Sequence, residues 1–374
     1  WHWAANSIET ETGVRSGFFN DRVELPARVS DEHSETPYMT RRAMDFLAED
    51  DGETPWLLHL SYIKPHWPYV APAPYNDMYS AKDVIPPVRS DIELNNPNPL
   101  MEHLMERVAG KTFSSQAARE KVIPVYMGLI TQIDDQLGLL FDFMQEKDLL
   151  DDTMVVFTSD HGDYFGDHWM GDKCYFHDQS VKVPLIIADP SQSADATRGT
   201  TDDSLVELID LLPTFIDYHG GAIEKNVLDG LSLMPKINNV GAAWREYAIS
   251  EFDYSCEVFR PKTERLPLDC RSYMIATHKW KFVYAPGYPA VLFDLVNDPY
   301  ELNDLGVDVE YDEVRREMFE KLAEWSLQYR QRQTWSEEHN LHMTGIEEKL
   351  GVIIGYWDEL DAKGKDPNIL PKRK

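Results

Sequence analysis

The chain has 374 residues, enough for two domains or for one large domain with an appended piece. Hydrophobic residues make up 43% of it, which excludes a low-complexity, collagen-like or wholly disordered polypeptide. Lys and Arg number 36 against 65 Asp and Glu, and the net charge of −29 repels nucleic acid and anionic membrane at long range, so neither is expected as a partner. An anionic small substrate fits such a field only where a local cluster of cations overcomes it.

The chain starts Trp1-His2-Trp3, with no Met, charged n-region or apolar h-region; it reads as an interior point of a longer protein and offers no signal peptide. Thr36-Pro37 has the N-cap and N1 chemistry of a helix start, and Met39, Ala43, Phe46 and Leu47 recur at helical spacing up to Asp50-Asp51-Gly52. Residues 56–63 are almost continuously apolar, the pattern of a parallel strand covered on both faces, and they end at Lys64-Pro65-His66. From about Gln116 to Glu146, the stripe Val122, Tyr126, Leu129, Ile133, Leu137, Leu140, Phe141 and Met144 predicts a long amphipathic helix. Residues 153–159 form a second buried strand ending at Asp160-His161-Gly162, and residues 181–188 a third. None of these runs approaches the ~20 residues that a bilayer helix needs. Ser204-x-x-Glu207 reads as a capping box for a helix running to Leu212-Pro213.

Alternating helices and apolar strands imply an α/β domain around a mainly parallel sheet, in which ligands bind outside the carboxyl ends of the strands. His66 and Asp160-His161 each follow such an end, so two separate stretches deliver polar groups to one rim. After about residue 226, short strands at 271–277, 281–285 and 291–295 precede a helix over 312–328, the texture of a smaller α+β domain. The expected division is 1–235, 236–329 and a tail 330–374, whose apolar patch at 352–357 would dock internally or mediate homo-oligomerisation.

Asp160-His161 pairs an oxygen donor with an imidazole, a combination suited to Mn²⁺ and, with a peripheral imidazole, to Ca²⁺; a helix-capping Asp beside a satisfied His is the alternative. The next residues include Gly162, Asp163, Gly166, Asp167, His168 and Lys173, too rich in glycine and ionisable groups for a core segment. Lys173 reads either as a fixed cation for an anionic substrate or leaving oxygen, or as a solvated surface lysine. His66, between Pro65 and Pro68, reads as a general acid or anion contact, or as a partly buried histidine among aromatics. Trp67, Tyr69 and Tyr164 could line an aromatic pocket or pack in the core. Cys174, Cys256 and Cys270, an odd number without a CxxC pair, argue against a disulfide framework and fit a reducing, cytoplasmic compartment.

The run Phe157-Thr158-Ser159-Asp160-His161-Gly162-Asp163, with Gly166-Asp167-His168, Lys173 and Val183-Pro184-Leu185-Ile186 after it, resembles the second metal-binding signature of sulfatases in the alkaline phosphatase superfamily. Residues His59-Leu60-Ser61-Tyr62-Ile63-Lys64-Pro65-His66, Ala71-Pro72-Ala73-Pro74-Tyr75 and Leu292-Phe293-Asp294-Leu295 are similar to its phosphonate monoester hydrolase and arylsulfatase branch. The resemblance implies an alkaline phosphatase-like α/β fold, its mainly parallel sheet sandwiched by helices, N-terminally truncated and followed by a smaller C-terminal α+β domain. It further implies one divalent ion, Mn²⁺ or Ca²⁺, with Asp160 and His161 as ligands, and His66 and Lys173 as catalytic groups contacting the transferred sulfuryl or phosphoryl group of a small anionic ester. The family's nucleophile is a formylglycine made from Cys in a Cys-x-Pro/Ala/Ser-x-Arg motif, which this chain lacks. Cys256-Glu257-Val258-Phe259-Arg260 has Val at the central position and lies after the Asp-His signature, and Cys174 lacks the motif altogether. The expectation is therefore a metal-dependent hydrolase whose nucleophile and first pair of acidic ligands lie upstream of Trp1. The alternatives are a non-catalytic protein that keeps the fold for binding, and a two-metal phosphatase using His168 and His177.

Overall fold

The computed structural model describes residues 23–329, apart from 96, 226, 242 and 258, together with residues 339 and 342. The expectations for Trp1-His2-Trp3 and for the patch at 352–357 lie outside the described residues. The chain divides into two compact units, Trp1–Leu205 with Ile237–Phe319, and Val206–Lys236 with Glu320–Lys374.

In the first unit, α1 spans Glu35–Ala48 and takes Thr36 and Pro37 into its first turn, with Ser34 at the N-cap position. The Ser34 side chain makes no cap; its Oγ accepts instead from Gln132 Nε2 at 2.9 Å. Helix α2 spans Pro99–Met105, α3 Val108–Phe113 and α4 Gln116–Glu146, the last with the predicted bounds. The buried line of α4 runs through Gln132 and Gln136, whereas Phe141 of the apolar stripe is exposed. The reason is a polar anchor: Gln132 also donates to Asp31 Oδ1 at 2.6 Å, which turns that face of the helix inward.

Ala43 and Leu47 of α1 meet Leu140 and Met144 of α4, and Trp56, Leu58 and Leu60 pack on this cluster. Residues 56–63 are extended but join no ladder among the described residues. They are also not covered on both faces as expected, since alternation leaves Leu57 63% and Ile63 48% exposed. Strand β1, Val155–Thr158, pairs antiparallel rather than parallel with β2, Leu185–Ala188, in the register Thr158 opposite Leu185. The third expected strand begins only at Leu185, because Asp178–Val181 forms one helical turn. Antiparallel pairing has a consequence for the site: the 159–184 excursion leaves and re-enters the ribbon at the same end.

Strands β3 Ala248–Asp253, β4 Arg271–Ala276, β5 Trp280–Tyr284 and β6 Val291–Asp294 form an antiparallel meander in that order; β3 was not anticipated. Met274, Val283, Val291 and Phe293 of this sheet share a core with Tyr164, Met170, Tyr175 and Phe176 of the excursion. Buried Lys281 of β5 locks the join, donating to Phe176 O at 2.9 Å and to Asp178 Oδ1 at 2.7 Å, and lying 2.6 Å from Glu301 Oε1. The stretch that carries the candidate site is thus riveted to the meander. In the second unit, α5 spans Leu211–Tyr218, beyond the expected stop at Pro213. Its entry turn is closed by Glu207 N donating to Asp210 Oδ2 at 2.8 Å, one turn later than the Ser204 box. Helix α6, Asp312–Tyr329, matches the predicted 312–328. No helix among the described residues is long and apolar enough to cross a membrane.

Residues 64–68 leave the extended segment in a loop closed by Lys64, whose Nζ donates to Pro68 O at 2.7 Å and to His66 O at 3.3 Å. Burial lowers the Lys64 ammonium from its ordinary 10.5 to about 8, with Glu35 opposing the shift. The unfolded chain then binds more protons between these two values, so this group's contribution to stability rises as pH increases from about 8 toward 10.5. In chemical denaturation, the wild-type midpoint should gain on that of Lys64→Met between pH 7 and pH 10; a pH-independent difference would refute the assignment. Removing the cation of a buried ion pair strands its partners, so Lys281→Met should lose roughly 3–5 kcal/mol in the same assay.

Candidate active site

The β1 strand ends at Thr158, whose Oγ1 donates to Pro184 O at 2.8 Å and ties the two arms of the excursion together. Ser159 Oγ donates to His161 O at 2.9 Å, and Gly162 N donates to Ser180 O at 2.8 Å. Only glycine fits at 162, because a Cβ there would come within 2.0 Å of the Gln179 carbonyl oxygen. These bonds present Asp160 and His161 at the rim.

His161 Nδ1 lies 2.8 Å from Gly162 O, and a carbonyl can only accept, so Nδ1 carries the proton and Nε2 keeps its lone pair. Asp160 Oδ1 accepts from His161 N at 3.0 Å, and its Oδ2 lies 3.4 Å from His161 Nε2. A lone pair and a carboxylate oxygen converging this closely suit a cation between them, with the donor types expected of Mn²⁺ or Ca²⁺. Among the described residues, no group of three or more His, Cys, Asp or Glu could hold a metal ion. The pair therefore fits as part of a coordination shell and not as a whole one.

His66 reaches the same place from the other stretch, its ring centroid 6.3 Å from that of His161. Its Nδ1 donates to Trp67 O at 2.7 Å, which leaves Nε2 as acceptor, and Lys173 Nζ donates to that nitrogen at 2.9 Å. Burial lowers the His66 pKa, and the neighbouring charges of Lys173 and His161 act in the same direction against the Trp67 carbonyl and Asp172. Asp172 Oδ1 stands 3.7 Å from Lys173 Nζ. Burial pushes the Asp163 carboxyl up to about 7, although it accepts from Tyr69 OH at 2.8 Å and from Phe165 N at 3.1 Å.

The structure thus brings the four predicted residues, His66, Asp160, His161 and Lys173, to one rim. It separates others from the chemistry. His168 and His177 are fully buried and stack at 3.8 Å, bound to Glu93 Oε1 and Tyr164 OH respectively, which makes them core groups. Tyr69 and Tyr164 are also core residues, at 0% and 1% exposure, rather than a pocket lining. All three cysteines are free, and burial pushes the Cys174 thiol up to about 11, far from a thiolate nucleophile. Sequence reasoning missed Lys64, Asp172, Arg107 and Glu257. Asp172 could have been suspected from its place beside Lys173, but Arg107 lies 66 residues before Lys173 and carries no local signal.

Two family models match: sulfatase, over residues 7–221, and the C-terminal part of N-sulphoglucosamine sulphohydrolase, over residues 166–328. The chain is 33% identical to the multifunctional alkaline phosphatase superfamily protein PehA of Trinickia caryophylli, across 83% of this chain and 63% of that protein. It is 30% identical to an arylsulfatase of Clostridium perfringens, across 79% of this chain and 58% of that one. The phosphonate monoester hydrolase of Agrobacterium radiobacter superimposes with a TM-score of 0.75 at 29% identity, covering 86% of this chain and 66% of that chain. The chain therefore spans about three fifths to two thirds of the length of these relatives, and its fold is alkaline phosphatase-like. The sulfatase model covers more than half of the sequence, residues that include Asp160, His161 and Lys173; the chain belongs to the sulfatase family.

Proposed function

We propose that the protein is a metal-dependent hydrolase of small anionic esters, either sulfate esters or phosphonate and phosphate mono- and diesters. The observation that carries this reading is the 2.9 Å contact of Lys173 Nζ with His66 Nε2 beside the Asp160-His161 pair, which sets an ammonium group, a proton acceptor and two metal-type donors at one rim in a chain of net −29. The names of the relatives support both ester classes. In this reading the formylglycine nucleophile and the remaining metal ligands are contributed by residues outside the 374 of this chain.

Asp160 and His161 would hold one divalent cation, Mn²⁺ or Ca²⁺. When bound, such an ion neutralises charge on the non-bridging oxygens of the ester. The chain's own residues manage the proton. In the free site Lys173 is the donor and His66 the acceptor of a single hydrogen bond. An arriving tetrahedral oxyanion competes for the ammonium group, which can turn from the imidazole to a substrate oxygen. His66 has its Nδ1 proton committed to Trp67 O, so a proton it relays must be taken up at Nε2 from the Lys173 ammonium that faces it, leaving that lysine as the neutral amine. Burial makes the resulting imidazolium more acidic than an exposed one, which favours release of that proton to the leaving oxygen. Asp172 keeps a carboxylate oxygen 3.7 Å from Lys173 Nζ.

In the complete protein, His66→Ala and Lys173→Ala should each lower kcat for p-nitrophenyl sulfate or a p-nitrophenyl phosphonate monoester by roughly 10²–10⁴-fold, with a smaller effect on KM. Steady-state kinetics decides this, and an unchanged kcat in both variants sinks the assignment. Mn²⁺ titrated into the 374-residue chain and followed by electron paramagnetic resonance should show binding that Asp160→Asn and His161→Ala each weaken. Equal affinity in all three proteins would remove those residues from the metal site.

A further inference from the structure

The backbone that carries Lys173 is unusual on both sides: Asp172 has φ +64° and Cys174 φ +106°, left-handed values at non-glycine residues. Such a turn persists only where its surroundings over-determine it. We infer that Arg107 is the positioning residue for Lys173, holding the 172–174 turn in the conformation that aims the ammonium group at His66; this rests on the reading of Lys173 given above.

Three atoms of one guanidinium grip three partners. Arg107 Nη1 donates to Lys173 O at 3.3 Å, Nη2 donates to Asp172 Oδ2 at 3.2 Å, and Nε lies 3.4 Å from Glu257 Oε2. Asp172 is thereby split between two cations, with Oδ2 toward Arg107 and Oδ1 toward Lys173 Nζ. Glu257 is split likewise, since its Oε1 accepts from the Cys174 thiol at 3.7 Å. Residues 172, 173 and 174 are each tied, directly or through Glu257, to one planar fork, a geometry that a lysine ammonium cannot reproduce.

The fork also stands on a rigid base. Arg107 is the N-cap residue of α3, and that helix packs closely on the loop, because a Cβ on Gly171 would lie 2.7 Å from Ala109 O. Charge reinforces the geometry. A bare Asp172 carboxylate next to the ammonium would repel an anionic ester, and the guanidinium offsets that charge without occupying the rim. Cys174, which has no role as a nucleophile, becomes intelligible as the donor that orients Glu257.

The test separates this inference from the hydrolase reading. In uniformly ¹⁵N-labelled 374-residue chain, long-range proton–nitrogen spectra report whether His66 Nε2 accepts a hydrogen bond. Arg107→Gln and Arg107→Lys should both move the His66 Nε2 resonance toward that of a free acceptor, as Lys173→Met does, while circular dichroism stays that of the wild type. In the complete protein the same Arg107 variants should lower kcat by about 10- to 100-fold with KM changed far less, since loss of alignment weakens the reacting geometry more than binding. An unmoved His66 resonance in a folded Arg107 variant overturns the inference, whatever the enzyme's activity. A moved resonance in a protein that hydrolyses neither ester class leaves it standing and rejects the hydrolase reading. Should both Arg107 variants fail to fold, Glu257→Gln decides: it loosens the hold on Arg107 Nε and on the Cys174 thiol while Nη1 and Nη2 keep their partners, and the resonance must then shift in the same direction by a smaller amount or the inference falls.

Discussion

A single hydrogen bond from Lys173 to His66 sets the terms for the rest of the molecule. It joins a lysine to an imidazole whose charged form burial disfavours, at the surface of a strongly acidic chain, and it survives only if the backbones on either side are held still. On the His66 side, a buried lysine clasps the loop through its carbonyls. On the Lys173 side, Arg107 and Asp172 grip the turn, and farther along the excursion Lys281 rivets it to the four-stranded sheet. Buried cations are costly to desolvate, and each here is repaid by carbonyl or carboxylate oxygens aimed at it.

The acidic composition takes on meaning in that light. A net charge of −29 repels anions in general, so the proposed anionic ester would be held only in a small region where the sign is reversed. Arg107 helps to maintain that reversal by offsetting Asp172, the acidic side chain nearest to Lys173. The Asp160-His161 pair is built in the opposite sense, as two electron-pair donors that converge at 3.4 Å and accommodate each other best with a cation between them.

How far the sequence led differs between the two kinds of feature. The long helix Gln116–Glu146 was legible to its last residue because a helical period of apolar side chains kept up over 31 residues overwhelms local exceptions. The four rim residues stood out because glycine and ionisable groups gather near strand ends, a pattern that left structural readings open for each, and the resemblance to the sulfatase signature supplied their roles. The direction of strand pairing was not: an apolar run of five or six residues looks the same in a parallel and an antiparallel ribbon, and β1 with β2 proved antiparallel. His168 and His177 were candidates for a second metal with less convincing spacing than Asp160-His161, and only packing showed that their rings stack in the interior.

Composition, periodicity and motif spacing by themselves determined the charge problem, the long helices Glu35–Ala48, Gln116–Glu146 and Asp312–Tyr329 and the stretches that carry His66, Asp160, His161 and Lys173, since each is written in consecutive residues. The short helices Pro99–Met105 and Val108–Phe113 were not anticipated. The tertiary structure alone decided which tautomers those histidines adopt, because a proton's position depends on a carbonyl oxygen 2.7–2.8 Å away in the folded loop. It also decided that Arg107 and Glu257, remote along the chain, stand beside Lys173. Contacts of that kind arise from the folding of separate segments onto one another, and no local pattern of residues encodes them.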